Sequence, residues 1–469
     1  MNCSTNFRLK TRTTRNSIQS AFLSATLAWV CRVAAVFGSE QEWLESYNNS
    51  LAAIDAGEGF VALDNLLETK RLAEDTFGFK HDNTARTYAL TARAALMRGQ
   101  YYTTITGADK AIHIWQELDG TNNLSNIHID QMTETMELRA AAHFRMGSYT
   151  EAEQDYGRIQ VIRLELHPDK LGLLGINQSQ RAECQLQKRD LDAKQLSLAR
   201  RGYEAVLKTR GLEHPDTGYC LGVLGESLRL SGATKQGIAD LDRGIEIQKK
   251  ALGKSHPALV DNLTRRAFVH AATNNMASAS ALFEHALGIL KKHRYAHDLH
   301  MAGVLDLYGT AWLVNKRRDK AKQLHQQAYA IREKVFESDP AMLAPSAARM
   351  ARVHASTGER WEAIRLYREA LDNWERAGMS TSLEFTQACT HLGQMYEATG
   401  KLDRATSFTE KVITICERTT DSAFEKPHAH ALTTRGVIAF KQRNHDAVVP
   451  ALESAIALAL KHEKFDCIR

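Results

Sequence analysis

Along most of the chain apolar residues return every three or four positions, the spacing that gathers them on one face of an α-helix, and the period-two alternation of strands is almost absent. Residues 346–376, SAARMARVHASTGERWEAIRLYREALDNWER, show the pattern in miniature. Met350 and Val353 supply an apolar face before a Ser-Thr-Gly turn, and Leu366 and Leu371 supply another after it. The stretch predicts helix, tight turn, helix. Ala351, Ala363 and Ala370 fall where the two helices must approach, because interaxial distance is set by the side chains at the contact.

The same design recurs about every 42 residues. One track of small residues runs Ala92, Ala140, Ala182, Gly225, Ala267, Gly309, Ala351, Gly393, Gly436. A turn signal follows most of them, at Gly99, Gly147, Gly232, Asn274, Lys316, Gly358 and Gly400. A second track runs Ala152, Ala193, Gly237, Ala279, Ala321, Ala363, Ala405, Ala447, and a third Ala111, Gly244, Ala286, Ala328, Ala370, Ala455. Extrapolation backwards makes SYNNSLAAIDAGEGFVALDNLLETK (46–70) a further, divergent unit. One hairpin cannot cover its own apolar face and a stack of them can, so the expected fold class is an all-α solenoid of about nine or ten helix-turn-helix hairpins.

Proline marks the joints. Pro168, Pro215, Pro257, Pro340 and Pro427 each fall between one unit's second helix and the next unit's first. Proline cannot continue a helix interior but fits its first turn. The repeated His-Pro pairs, at 167–168, 214–215 and 256–257, therefore read as punctuation rather than as a catalytic site. Asp216 and Thr217 are the expected N-cap side chains of the helix that follows Pro215.

Two stretches carry a family likeness: GLEHPDTGYCLGVLGESLRLSGATKQGIADLDRGIEIQKKALGKSHP (211–257) and HLGQMYEATGKLDRATSFTEKVITICER (391–418). They resemble tetratricopeptide repeats of the 42-residue kind found in kinesin light chains, and the likeness extends over about 78–463. The resemblance implies a right-handed superhelical solenoid whose first helices line a concave groove that binds a protein or peptide segment. On that implication the groove candidates are Glu226, Arg229, Thr264, Asp306, Thr310, Arg352, Gln387, Thr390, Gln394 and Glu397. Their mixed charge fits a polar, specific groove better than a clamp for one acidic or basic tail. Positions where the family often carries Asn are here Gly222, Thr264, Asp306, Ala348, Thr390 and Thr433, so no inherited peptide code transfers. The unit at 177–210 is irregular in register, and its second helix is expected to be longer or shifted. HEAT-type pairs share the repeat length, but the His-Pro-Asp joints argue against them.

Charge narrows the partners. The chain has 60 Lys and Arg against 55 Asp and Glu, and Arg8, Lys10, Arg12, Arg15 and Arg32 all precede Ser39, where no acid occurs. The body beyond them is formally neutral, which removes the electrostatic case for nucleic acid. The basic start followed by AFLSATLAWVC (21–31) has the layout of a secretory signal, so residues 1–38 read as a targeting leader and 39–469 as the solenoid. Export to a periplasmic or extracellular space is the expectation, with organelle targeting or an N-terminal membrane anchor as alternatives. No other membrane-seeking face is evident. Cys184, Cys220, Cys389, Cys416 and Cys467 are scattered without CxxC spacing, so they read as small apolar residues packed in helices.

The phosphate loop, the dinucleotide fingerprint, HExxH and GxSxG are all missing, so the chain reads as a non-enzymatic scaffold without catalytic residues, metal or cofactor. One cluster, His293, His297 and His300, has the spacing of ligands on one helical face, but His297 falls at a joint among Lys291, Lys292 and Arg294. Trp115, Trp312, Trp361 and Trp374 are expected to pack rather than to form a stacking platform. The competing readings are a structural subunit of a larger assembly and, behind it, a metal-binding protein or enzyme built on histidines.

Overall fold

The computed structural model describes residues 39–119, 128–166, 169–188, 193–292, 298–336, 340–419 and 424–466. Twenty helices form ten hairpins, and no strand occurs among the described residues. The hairpins are α1 (39–55) with α2 (Gly59–Phe77), α3 (Asp82–Met97) with α4 (Tyr101–Asp119), α5 (Ile129–Met146) with α6 (Tyr149–Leu166), α7 (Leu171–Lys188) with α8 (Ala193–Arg210), and α9 (Pro215–Leu230) with α10 (Thr234–Leu252). There follow α11 (Val260–Ala272) with α12 (Met276–Lys292), α13 (Asp298–Val314) with α14 (Arg318–Val335), α15 (Pro340–Ser356) with α16 (Arg360–Arg376), α17 (Leu383–Ala398) with α18 (Leu402–Glu417), and α19 (Glu425–Lys441) with α20 (His445–Asp466). The architecture is an all-α repeat solenoid. The divergent first unit is a hairpin too, since Ala53, Ile54, Ala62 and Leu66 share one apolar cluster with Leu90 and Ala94 of α3.

The helices fall into two compact units. One takes the described residues up to Phe144 together with Gln154–Ile159, and the other takes Arg145–Glu153 and the chain from Gln160 onward. In the first unit Trp43 Nε1 donates to Thr87 at 3.0 Å, Trp115 Nε1 donates to Asp82 at 2.8 Å, and Arg139 bridges Asp109 and Asp155. In the second, large buried clusters run through α15–α20 and through α11–α14.

The small-residue tracks are the helix contacts. On α9 and α10, a Cβ added at Gly225 would stand 2.7 Å from the Gly237 carbonyl, and one added at Gly244 would stand 2.6 Å from that of Gly218. Ala351, Ala363 and Ala370 are fully buried in the same way between α15 and α16. Replacing Ala351 with Leu forces the methylenes into a filled seam, and the expected loss is about 1–3 kcal/mol in urea unfolding; a neutral result would remove Ala351 from the contact.

Turns and joints follow local rules. Each turn signal adopts positive φ, and in Asn274, Lys316 and Arg443 a side chain tolerates the conformation that glycine takes at Gly99, Gly232, Gly358 and Gly400. At all seven the next N–H reaches back to a carbonyl of the ending helix at 2.8–2.9 Å, closing a Schellman turn. At the joints the capping residue is the histidine itself, which corrects the expectation for Asp216 and Thr217. His81, His214 and His256 each accept, through Nδ1, the backbone N–H two residues on, at 3.1–3.2 Å. Pro215 takes the first helical position, Asp216 pairs with Arg210, and the Thr217 hydroxyl crosses the joint to the Gly211 carbonyl at 2.7 Å.

The His214 cap needs an unprotonated Nδ1. Burial and then Arg210 hold this imidazole below its ordinary value, which favours the neutral ring in the folded state. That contribution is fully present above about pH 6.5 and is lost as pH falls through the lower folded value. His214→Ala is expected to cost about 0.5–1 kcal/mol at pH 8 and less at pH 5, read from thermal unfolding at the two pH values.

Candidate partner-binding surface

In the second unit the first helices of successive hairpins touch one another, α7 with α9, α9 with α11, α11 with α13, α15 with α17 and α17 with α19. No two second helices approach as closely among the described residues. The first helices therefore make the closer-packed side of this stack, the side that the tetratricopeptide resemblance implies to be the groove.

That face carries charge instead of an apolar seam. Glu183 on α7 pairs with Arg265 on α11, with side chains only 9% and 10% exposed, and accepts the Tyr219 hydroxyl of α9 at 2.5 Å. Arg265 also donates to Asn262 Oδ1 at 2.7 Å, and the Asn262 amide in turn donates to Gln248 and to the Gly218 carbonyl. Four helices are thereby linked by one hydrogen-bonded chain. Next to it, Asp261 of α11 meets His300 Nε2 of α13 at 2.8 Å.

Asp306, predicted from the sequence, is the hub of a second set. It faces His325 Nδ1 at 2.8 Å and Arg332 at 2.6 Å, both from α14, and Arg349 from α15. Burial alone would push this carboxyl up, but Arg349, His325 and Arg332 outweigh it and hold Asp306 well below the usual carboxylate range. Burial also pulls the Arg332 guanidinium below its ordinary value. Asp306 is 8% exposed, so it anchors the arginines rather than meeting a partner itself.

The other predicted residues divide by exposure. Thr264 and Thr390 are buried, and their hydroxyls donate to the Asp261 and Thr386 carbonyls of their own helices. At a closely packed helix contact a threonine hydroxyl turns back to the preceding turn, as both of these do. Thr310 does the same toward Asp306 O at 2.8 Å while half-buried. Glu226 and Arg229 pair with each other at 2.7 Å, half-buried on α9. Missed by sequence reasoning were Glu183, Asp261, Arg265, Arg332 and Arg349, while His300 had read only as one of a cluster. One signal was available: Arg265 and Arg349 each stand two positions before the small residue of their unit.

The tetratricopeptide repeat family model matches residues 386–421, which is α17 and α18. Residues 386–421 thus match a tetratricopeptide repeat, and the all-α repeat solenoid as a whole has that type of fold. Its fold superposes on the signal-transduction ATPase with a tetratricopeptide repeat sensor from Pyrococcus horikoshii at a TM-score of 0.51, with 13% identity over 87% of this chain and 59% of that one. The apo form of RapI gives 0.50, with 11% identity over 63% of this chain and 99% of that one. A putative kinesin light chain with nearly identical repeats, from P. anserina, is 22% identical over 44% of this chain and 99% of that one, at a TM-score of 0.39. No curated protein matches the sequence.

Four candidates lie in the matched tetratricopeptide repeat. Gln387 is exposed, Thr390 buried, and Gln394 and Glu397 half-buried. Gln394 hydrogen-bonds His391, whose imidazole burial and Arg352 together hold below its ordinary value, so Arg352 and Gln394 are gathered about one ring. Glu397 is tied to Lys441 of the next hairpin at 2.5 Å. Of the histidine cluster, His293 and His297 lie outside the described residues, and His300 is turned to Asp261. Trp115 and Trp374 are core residues, but Trp361 is 62% exposed with Lys401 Nζ 4.3 Å from its ring, a correction that follows from its place in the first turn of α16. Cys184, Cys220, Cys389 and Cys416 are buried free thiols, and burial pushes Cys220 and Cys389 up to about 12. Cys467 lies outside the described residues. No helix among them is long and apolar enough to cross a membrane.

Proposed function

We propose that this chain is a non-enzymatic scaffold that binds a segment of another protein on its first-helix face. The observation that supports the reading is the polar network itself. An ion pair withdrawn from water seldom stabilises a protein more than an apolar pair of the same volume would, so its worth lies in complementarity and partner choice. Here two such sets tie first helices from α7 to α15 together and draw in Gln248 of α10 and His325 and Arg332 of α14, while Arg352 and Gln387 on α15 and α17 are exposed.

Selection from a random peptide library with the full chain as bait tests this. Enriched peptides are expected to lose at least about ten-fold in affinity, roughly 1.4 kcal/mol, against Arg352→Glu and Gln387→Arg, two exposed changes that leave the core alone. No enrichment, or binding indifferent to both, would overturn the reading. For residues 1–38 we propose export, with mature protein beginning at Ser39 in mass spectrometry as the expected result; retention of the leader in the released protein would refute it.

A structural role in a larger assembly has one observation in its favour. The last hairpin exposes Phe440 at 63%, Val449 at 58% and Ile456 at 57%, an apolar face of the kind that interfaces cover. Sedimentation as a monomer over a wide concentration range would remove self-assembly by that face.

A further inference from the structure

Five successive hairpins, from α9/α10 to α17/α18, keep an apolar side chain at one fixed distance beyond the left-handed turn. Counted from Gly232, Asn274, Lys316, Gly358 and Gly400, these residues are Ile245, Leu287, Tyr329, Leu371 and Ile413. Ile245, Leu287, Leu371 and Ile413 are only 4–9% exposed, and Tyr329 is half-buried. The stack is the reason. Leu371 lies in one buried cluster with Phe385 and Leu392 of α17, and Ile413 lies in it with Leu432 and Ile438 of α19, so the position receives the first helix of the following hairpin. On α20 the same distance from Arg443 leads to Ile456, which is 57% exposed. Ile456 is part of a continuous strip. The Phe440 ring meets the His445 ring edge-on with centroids 6.3 Å apart, and Val449, Ile456 and Leu460 follow His445 along one side of α20 at helical spacing, each more than half exposed.

The strip also lacks the charge of its counterparts. One helical turn beyond the apolar position the five preceding hairpins carry Lys249, Lys291, Glu333, Glu375 and Glu417, where α20 carries Leu460. Between Asp446 and Lys461 the one charged residue is Glu453. A helix that is apolar on both sides belongs in an interior. We infer that the face bearing Phe440, Val449, Ile456 and Leu460 pairs with the same face of a second copy of this chain about a twofold axis. The inference rests on the larger-assembly alternative, whose partner it names, and is independent of the scaffold reading. Charge argues for a second copy, because a twofold contact lays a face against itself and any charge there meets its like; with Leu460 in place of the glutamates that repulsion is gone. Area agrees. α19 and α20 have 17 and 22 residues. At the rise of an α-helix and a width of about 10 Å, their joint face is on the order of 600 Å² on each copy. Two such faces together reach the roughly 1,200 Å² at which stable interfaces begin. With the two α20 helices antiparallel, Val449 of one copy faces Leu460 of the other, and the two Ile456 side chains flank the axis.

Sedimentation velocity of the full-length protein over about 1–100 μM is expected to show monomer passing into dimer and going no further. Val449→Lys and Leu460→Glu are each expected to weaken the dimer at least about ten-fold, because each places an unpaired charge in an apolar contact. Mixing the two variants is expected to restore association to within about three-fold of wild type. The mixed pair sets the introduced ammonium against the introduced carboxylate on one side of the axis and keeps Val449 against Leu460 on the other. Rescue also guards against misfolding, since a variant that had lost its fold would not regain a partner on mixing. A monomer at every concentration leaves the face to another occupant and overturns the proposal. A dimer indifferent to both variants, or variants that stay apart when mixed, overturns it too. Species that keep growing with concentration mean head-to-tail contact, which overturns the twofold pairing and leaves the larger-assembly reading standing. Peptides selected through Arg352 and Gln387 report on the scaffold reading whichever way the sedimentation falls.

Discussion

Replacing Asp306 with Ala is expected to destabilise the full chain by about 3–5 kcal/mol, read from the urea midpoint with tryptophan fluorescence. Among the described residues this carboxylate pairs with both Arg332 and Arg349, and it is also the partner of His325. Arg349, with its side chain 36% exposed, can swing toward water when Asp306 is removed. Arg332, at 14%, cannot do so without unpacking α14, and most of the loss comes from leaving its guanidinium buried without an anion. Asp306→Leu combined with Arg332→Met is expected to recover most of the stability, because an apolar pair of similar volume avoids the desolvation of both ions. A single change that costs under about 1 kcal/mol would show that the arginines re-solvate freely and that the network carries little.

The pH dependence of that loss has a definite sign. The folded Asp306 carboxyl titrates below its unfolded value of about 3.9, so its contribution is fully present above that value and disappears as pH falls through the folded one. The gap between wild type and Asp306→Asn should therefore be constant from neutral pH down to about pH 5 and should close below about pH 4.

How much of this was legible in the sequence depends on whether the contact is periodic. Gly225 and Gly237 were visible because a close helix crossing demands a small residue in every unit, and the crossing recurs with the repeat. Lys316 and Arg443 are harder, since either side chain can occupy the left-handed turn at some energetic cost, and only the frame set by Gly358 and Gly400 identifies Lys316 as a turn. The histidine caps were misassigned because Asp and Thr are the commoner caps. At His214 and His256 a proline takes the first helical position, and His81 caps at the same distance with Asp82 in that place, so the imidazole Nδ1 reaches the N–H two residues on with or without proline.

The polar network was less legible. Asp306 was found by position, but His325, Arg332 and Arg349 come from two further helices, and nothing in local periodicity says that three cations converge on one carboxylate. Thr264 and Thr390 are buried where Arg352 and Gln387 are exposed, since equivalent register did not guarantee equivalent exposure. The turn at Arg145 was visible only as a turn. That its side chain reaches Asp261 of α11 is a property of tertiary geometry that no repeat pattern encodes.

The second large effect belongs to Glu183 and Arg265. Arg265→Met alone is expected to cost about 3–5 kcal/mol at pH 8, because it leaves a carboxylate that is 9% exposed with the Tyr219 hydroxyl and no guanidinium. Glu183→Leu alone should cost less, since Arg265 retains its bond to Asn262 and the nearby charge of Asp261. The double variant Glu183→Leu/Arg265→Met is expected to fall within about 1 kcal/mol of wild type, giving a coupling energy of several kcal/mol in the cycle. Burial already pushes the Glu183 carboxyl above its ordinary value against the pull of Arg265, and without Arg265 it rises further. A raised folded value means that the protonated acid is favoured in the folded state, so the penalty of Arg265→Met shrinks as pH is lowered from 8 toward 5. A penalty that is flat across that interval, together with additive single changes, would mean that Tyr219 and water satisfy Glu183 without the arginine.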